Sequence, residues 1–151
     1  MTLKKAFDLV WRNGLILSLH TMGLRGNILK WTQDFLADRT FQVKIGTSLS
    51  SQQSLQNGTP QGSVLSPLLF ITLLNNIPAP PSGIKISLYA DDCAFWTSGK
   101  NLQSLYSTMQ SYINTVNESL INWGFKLSKD KTVSLLCTRN PNLRKSDSSF
   151  Q

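Results

Sequence analysis

The chain has 151 residues, enough to bury a core without disulfides or a structural metal, and its 40% hydrophobic and 15% charged content is that of one globular domain. It contains no 18-residue apolar run, which excludes a membrane-spanning helix, and no signal-peptide pattern. The net charge of +7 is uneven: residues 1–50 hold seven basic and three acidic side chains, residues 123–151 six and two, and the stretch between them two and three.

Taken in chain order, Leu3 to Asp8 reads as the end of a strand running into a turn. Leu15 to Met22 and Ile28 to Leu36 carry helical periodicity and are separated by Gly23 and Gly26. Phe41 to Ile45 alternates apolar with polar, the period of a half-buried strand, and Gly46-Thr47-Ser48 is a turn leading to a second strand around Gln52 to Leu55. Asn57 to Ser63 is a loop by its glycines and proline. Leu65 to Ile77, apolar nearly all round, predicts a buried helix ended by Pro78.

Ile84 to Ala90 and Cys93 to Thr97 predict two apolar strands with Asp91 and Asp92 at the tight hairpin between them. Leu102, Leu105, Met109, Ile113, Val116, Leu120 and Trp123 recur at three and four residues, an amphipathic helix of roughly five to six turns that Gly124 stops. Thr132 to Thr138 reads as a last strand, and from Arg139 the composition turns polar, so that 139–151 is expected to be a disordered tail. Strands and helices mix without strict alternation, which predicts an α+β fold with an antiparallel sheet covered mainly on one face by helices.

Cys93 and Cys137 lie in apolar, strand-like runs and are expected to be buried and reduced, which points to an intracellular compartment, cytoplasm or nucleus. His20 is the only histidine, has no nearby Cys or second His, and is expected to have a structural role rather than to bind a metal. Positive flanks around a small acidic centre suit a polyanion held beside a cation site, although an ordinary solvated surface has the same composition. The adjacent Asp91 and Asp92 are costly between buried strands, because each loses hydration and the two repel unless a cation compensates. They could anchor Mg²⁺, which takes few protein carboxylates together with water and phosphate, or serve as turn residues. The loop ending in Gly58-Thr59-Pro60-Gln61-Gly62-Ser63 lets backbone approach a ligand ahead of a helix N-terminus, or is a plain helix entry; it lacks the lysine of a phosphate loop.

Four segments together resemble the reverse transcriptases, most closely those of Jockey-type non-LTR retrotransposons. Leu3-Lys4-Lys5-Ala6-Phe7-Asp8-Leu9-Val10-Trp11 is similar to the first palm motif of that family, Gly58 to Pro67 to the second and Tyr89-Ala90-Asp91-Asp92 to the third. Trp123-Gly124-Phe125 with Ser128 to Thr132 is similar to the fourth. The resemblance implies a polymerase palm over 1–138, an RNA template, a DNA primer and deoxynucleotide triphosphates as partners, and a two-metal Mg²⁺ site on Asp91 and Asp92. It further implies that Phe7, with Ala6, lies at the nucleotide as a steric gate against a ribose 2′-OH, and that Gln61 and Gly62 contact nucleotide and template. Lys131 would supply a proton or charge to pyrophosphate. Phe7 could equally be a core aromatic and Lys131 part of a solvated turn.

The sequence departs from the family at one position. The first motif there opens on an Asp, the third metal ligand, and here that place is Thr2, a neutral hydroxyl. Asp8 lies six residues further on, about 20 Å if extended, and does not replace it. The chain is expected to be a palm core from a longer polyprotein, with fingers and thumb missing, and inactive in isolation; the alternative is a non-catalytic remnant that binds nucleic acid through its basic flanks.

Overall fold

In the computed structural model, residues 1–139 are described; the expected tail lies, but for Arg139, outside them. Among the described residues the fold is mixed α+β, with four α-helices and three short antiparallel strand pairs. Helix α1 runs Arg12–Thr21 and α2 Gly26–Leu36; β1 (Thr40–Phe41) pairs with β4 (Gln53–Ser54), and β2 (Lys44–Ile45) with β3 (Ser48–Leu49). Helix α3 (Leu65–Leu74) precedes the hairpin of β5 (Ile84–Tyr89) and β6 (Asp92–Thr97), and α4 (Leu102–Asn122) is followed by a short 3₁₀ turn at Lys129–Lys131.

The chain ends of the helices follow from local chemistry. Asn101 caps α4 by accepting a hydrogen bond from Ser104 N–H at 3.0 Å. At the other end Gly124 takes φ +82°, Gly124 N–H reaches Ile121 O and Phe125 N–H reaches Leu120 O, the paired bonds of a Schellman motif. The same motif closes α1 at Gly23, with bonds from Gly23 to His20 O and Leu24 to Leu19 O. Helix α1 begins a turn earlier than the expected Leu15. Gly14 is admitted there because the Trp11 ring lies where its side chain would stand, 2.2 Å from an added Cβ.

The sheet is wider than its named strands. Cys93 N–H bonds Met1 O and Leu3 N–H bonds Asp91 O, while on the opposite edge Lys4 N–H bonds Lys126 O and Ser128 N–H bonds Thr2 O. Met1–Lys4 therefore lies between the β5–β6 hairpin and the segment 126–128, with antiparallel bridges Thr2 to Asp92 and Leu3 to Leu127. Helix α4 covers the inner face of the hairpin: Phe95 meets Tyr112 edge to face at 5.5 Å, and the Tyr112 hydroxyl donates to Pro78 O at 2.8 Å. The stripe Met109, Tyr112, Val116 and Leu120 joins Leu3, Val10, Leu15, Phe70 and Phe125 in one core.

Three expectations need correction. Helix α3 is not buried all round, since Leu68 and Ile71 stand half exposed on its outer side. The alternation of Phe41 to Ile45 does not produce a half-buried strand: both strand pairs of the 40–54 ribbon are two-residue ladders whose residues are all exposed. The segment 132–138 forms no ladder among the described residues, Val133 and Leu135 are exposed, and Cys137 is exposed rather than buried. Cys93 is buried as expected, and burial pushes its thiol above the ordinary range, which keeps it protonated and inert.

Phe70 is the hub of the core, 1% exposed, with its ring 4.7 Å from Phe7 and 5.8 Å from Phe125. Phe70→Ala should lower unfolding free energy by about 3–5 kcal/mol, as the cavity separates three elements at once. Urea denaturation followed by Trp fluorescence measures it; a loss under about 1 kcal/mol would mean the core closes over the gap.

Candidate active site

The turn between β5 and β6 consists of Ala90 and Asp91, with Tyr89 and Asp92 paired across it. Ala90 takes φ +51°, a left-handed conformation that costs a non-glycine residue about 1–2 kcal/mol. The strain bends the strand sharply and sets two carboxylates at its tip. Their hydration cost is smaller than the apolar neighbours suggest, because Tyr89 is 84% exposed, Asp92 is exposed and Asp91 is half-buried.

Thr2 faces this tip from the adjoining strand segment. Its Oγ1 donates to Asp92 Oδ1 at 2.6 Å, so one carboxylate oxygen is held by a neutral hydroxyl. Asp91 is tied through its backbone, its carbonyl accepting from Leu3 N–H at 3.0 Å. Among the described residues no three His, Cys, Asp or Glu side chains gather into a metal-binding group. The Asp92 carboxylate beside the Thr2 hydroxyl, with Asp91 next in the chain, offers oxygen donors of the kind Mg²⁺ takes together with water and phosphate, and is one anionic group short of the family's set.

Beyond Lys4 the chain turns sharply, with Lys5 at φ +49° and both Asp8 and Leu9 N–H bonded to Lys5 O. The Gly58 loop docks on that turn: Gly58 N–H donates to Val10 O at 2.8 Å and Thr59 N–H to Phe7 O at 3.0 Å. Gly58 has φ +88°, and a Cβ there would stand 3.0 Å from Asp8 O, so only glycine permits the approach. Gln61 completes the contact by donating from Nε2 to Asp8 Oδ1 at 2.7 Å. Ser66 Oγ bonds Pro60 O at 2.5 Å and binds the loop to the first turn of α3.

The residues singled out from sequence thus fall into two groups on one segment. Asp91 and Asp92 stand with Thr2 at the hairpin. Phe7 and exposed Gln61 stand at the Lys5–Val10 turn, with Gly62 exposed at φ +84°. Ala6 is buried in the core, and Phe7 is half-buried with its ring against Phe70. Lys131 is exposed in the 3₁₀ turn, which Ser128 N–H fastens to Thr2 O at 2.9 Å. Sequence reasoning missed two partners. Asp8, set aside as a metal ligand, holds the Gln61 amide. Arg12 donates to Leu55 O, Asn57 O and Gly58 O, and no signal in the sequence marks it, because Leu15 to Met22 reads as the helix and leaves Arg12 outside it.

A family model described as reverse transcriptase (RNA-dependent DNA polymerase) matches residues 1–148. The chain is 28% identical over 142 residues to the RNA-directed DNA polymerase from mobile element jockey of Drosophila melanogaster, covering 89% of this chain and 15% of that protein. It is 30% identical over 141 residues to the probable RNA-directed DNA polymerase from transposon BS of the same species, covering 87% and 15%. Against the Drosophila funebris jockey polymerase it is 26% identical over 145 residues, covering 91% and 16%. The chain therefore spans about 15% of the length of the curated relatives it matches.

Gly58→Ala should detach the loop from the Lys5–Val10 turn and cost about 2 kcal/mol. Backbone hydrogen exchange at Gly58 and Thr59, whose N–H groups carry the docking bonds, would rise with it. Unchanged exchange at both amides would show that the turn can give way around a methyl group.

Proposed function

The chain belongs to the reverse transcriptase (RNA-dependent DNA polymerase) family, and on that premise we propose that residues 1–138 are the palm of a mobile-element polymerase, the part that performs metal-dependent transfer of deoxynucleotides to a primer 3′-OH. One observation carries the reading: Thr2, which stands where the family's first motif has its leading Asp, is hydrogen-bonded to Asp92 of the third motif. That two motifs distant in sequence meet side by side supports the reading.

In this reading Asp91 and Asp92 hold Mg²⁺, which when bound acidifies the primer hydroxyl and offsets charge on the leaving pyrophosphate. Gln61 and Gly62 contact nucleotide and template, the face of Phe7 excludes a ribose 2′-OH, and exposed Lys131 approaches the pyrophosphate as a donor of charge or a proton. RNA template, DNA primer and deoxynucleotide triphosphates are the partners. The Phe7 ring needs firm backing to act as a gate, and its packing on Phe70 supplies it.

A second reading, a nucleic-acid binder without catalysis, is favoured by the hydroxyl at Thr2 and by the basic excess of residues 1–50 and 123–151. The two share a binding step and differ at the metal. In both, affinity for an RNA–DNA primer–template should fall about a hundredfold or more between about 50 mM and about 200 mM salt, with little sequence preference; salt-independent binding would defeat both.

Manganese titration followed by electron paramagnetic resonance separates them. One Mn²⁺ should bind the wild type, Asp91→Asn and Asp92→Asn should each weaken it by about tenfold or more, and Thr2→Asp should tighten it by a similar factor. If neither Asn variant changes Mn²⁺ affinity, the polymerase reading of the hairpin is wrong. Primer extension on an RNA template should be absent for wild type, in which Thr2 stands in place of a carboxylate ligand. Robust extension by the wild type would overturn the role given to the missing carboxylate.

A further inference from the structure

We propose that Arg12 is a positioning residue for nucleotide binding: its guanidinium fastens Leu55 to Gly58 against the start of α1 and so sets where Gln61 and Gly62 stand. The inference rests on the reading of Gln61 and Gly62 as nucleotide contacts, and deepens it.

The geometry is that of a fork closed around a loop. Arg12 Nε donates to Gly58 O at 2.9 Å, Nη1 to Leu55 O at 2.6 Å and Nη2 to Asn57 O at 3.2 Å. Three carbonyls that point at one guanidinium must be turned inward, and a planar group with five donors is the side chain that can satisfy them together. Gly58 is then held from both sides, its carbonyl by Arg12 and its N–H by Val10 O. Thr59 is fixed next, its N–H on Phe7 O, and Gln61 follows after Pro60 with its amide on Asp8. The loop thus reaches Gln61 with little freedom left in it.

Arg12 accepts an unfavourable place to do this. Burial lowers its pKa from the usual guanidinium value, the charge of Arg39 adds to the effect, and the positive end of α1 repels a cation. The carbonyl dipoles offset these terms, so the charge is retained for the loop and not for the helix. A lysine would keep the charge but present its donors from a single nitrogen, and could not span the three carbonyls.

The test uses the whole 151-residue chain as wild type, Arg12→Ala and Arg12→Lys. Backbone hydrogen exchange is read at Gly58 and Thr59 and, as a control, at Val116 and Leu120 in α4. Affinity is measured separately for a DNA–RNA primer–template and for a deoxynucleotide triphosphate added to that complex with Mg²⁺. Arg12→Ala should speed exchange at Gly58 and Thr59 by about tenfold or more with α4 unchanged, and weaken the nucleotide by about tenfold while primer–template affinity moves less than about twofold. Arg12→Lys should fall between. Guanidinium ion at a concentration below denaturation should restore nucleotide affinity to Arg12→Ala, and urea should not.

Wild-type exchange at Gly58 and Thr59 in Arg12→Ala would overturn the proposal. So would acceleration shared equally with α4 in both variants, which marks a general loss of stability, or nucleotide affinity unchanged while the loop is loosened. Failure of the wild type to take up nucleotide, with loop protection still dependent on Arg12, would overturn the nucleotide role of Gln61 and Gly62 and leave the fastening of the loop standing.

Discussion

The backbone pairing of Met1–Lys4 on both of its edges governs everything around it. One edge is bonded to the hairpin through Asp91 and Cys93, the other to Lys126 and Ser128, so the segment behaves as an interior strand although it is too short to be named one. Its register is held by Leu3, 3% exposed in the core; a slip of one residue would turn Leu3 to solvent and take Thr2 away from Asp92. The polar site is therefore a consequence of apolar patterning. Burial of Leu3 fixes the hydroxyl of Thr2, and no polar interaction has to do so.

From that strand the chain turns directly into the second half of the site. Ala6 and Val10 face the core while the carbonyls of Phe7 and Val10 face outward and receive the N–H groups of Thr59 and Gly58. Glycine at 58 is required by contact as well as by backbone angle, which is why the loop can lie flat on the turn. Gln61 on Asp8 and Thr2 on Asp92 are then two ends of one segment, and between them Phe7 packs on the core aromatic Phe70.

Much of this was legible in the residues. The three- and four-residue spacing from Leu102 to Trp123 specified α4, Gly124 marked its end, and the apolar runs around Asp91 and Asp92 specified the hairpin, because in each case pattern and local chemistry agree. The order of the four motifs specified the family. Elsewhere pattern and outcome part. Phe41 to Ile45 alternates, yet alternation only says which face could be buried, and both short strands there stay exposed. The apolar residues of 132–138 favour a strand, yet a strand needs a partner edge, which is a property of the whole sheet. Arg12 was hidden because a lone basic residue in a surface pattern carries no sign of the carbonyls that will surround it.

Thr2 shows fold and chemistry drawing in opposite directions. The sheet uses only its backbone, accepting from Ser128 and bridging to Asp92, and a β-branched residue suits a strand. Its side chain is free to be chosen for the site. An aspartate there would face Asp92 and set two like charges side by side next to the strained Ala90 turn, which is unfavourable without a compensating cation. The hydroxyl instead donates to Asp92 and removes that repulsion without a metal. Threonine thus suits a hairpin with no cation at its tip. The residue at this position decides whether Asp92 meets a donor or a like charge, while the backbone pairing that presents it stays the same.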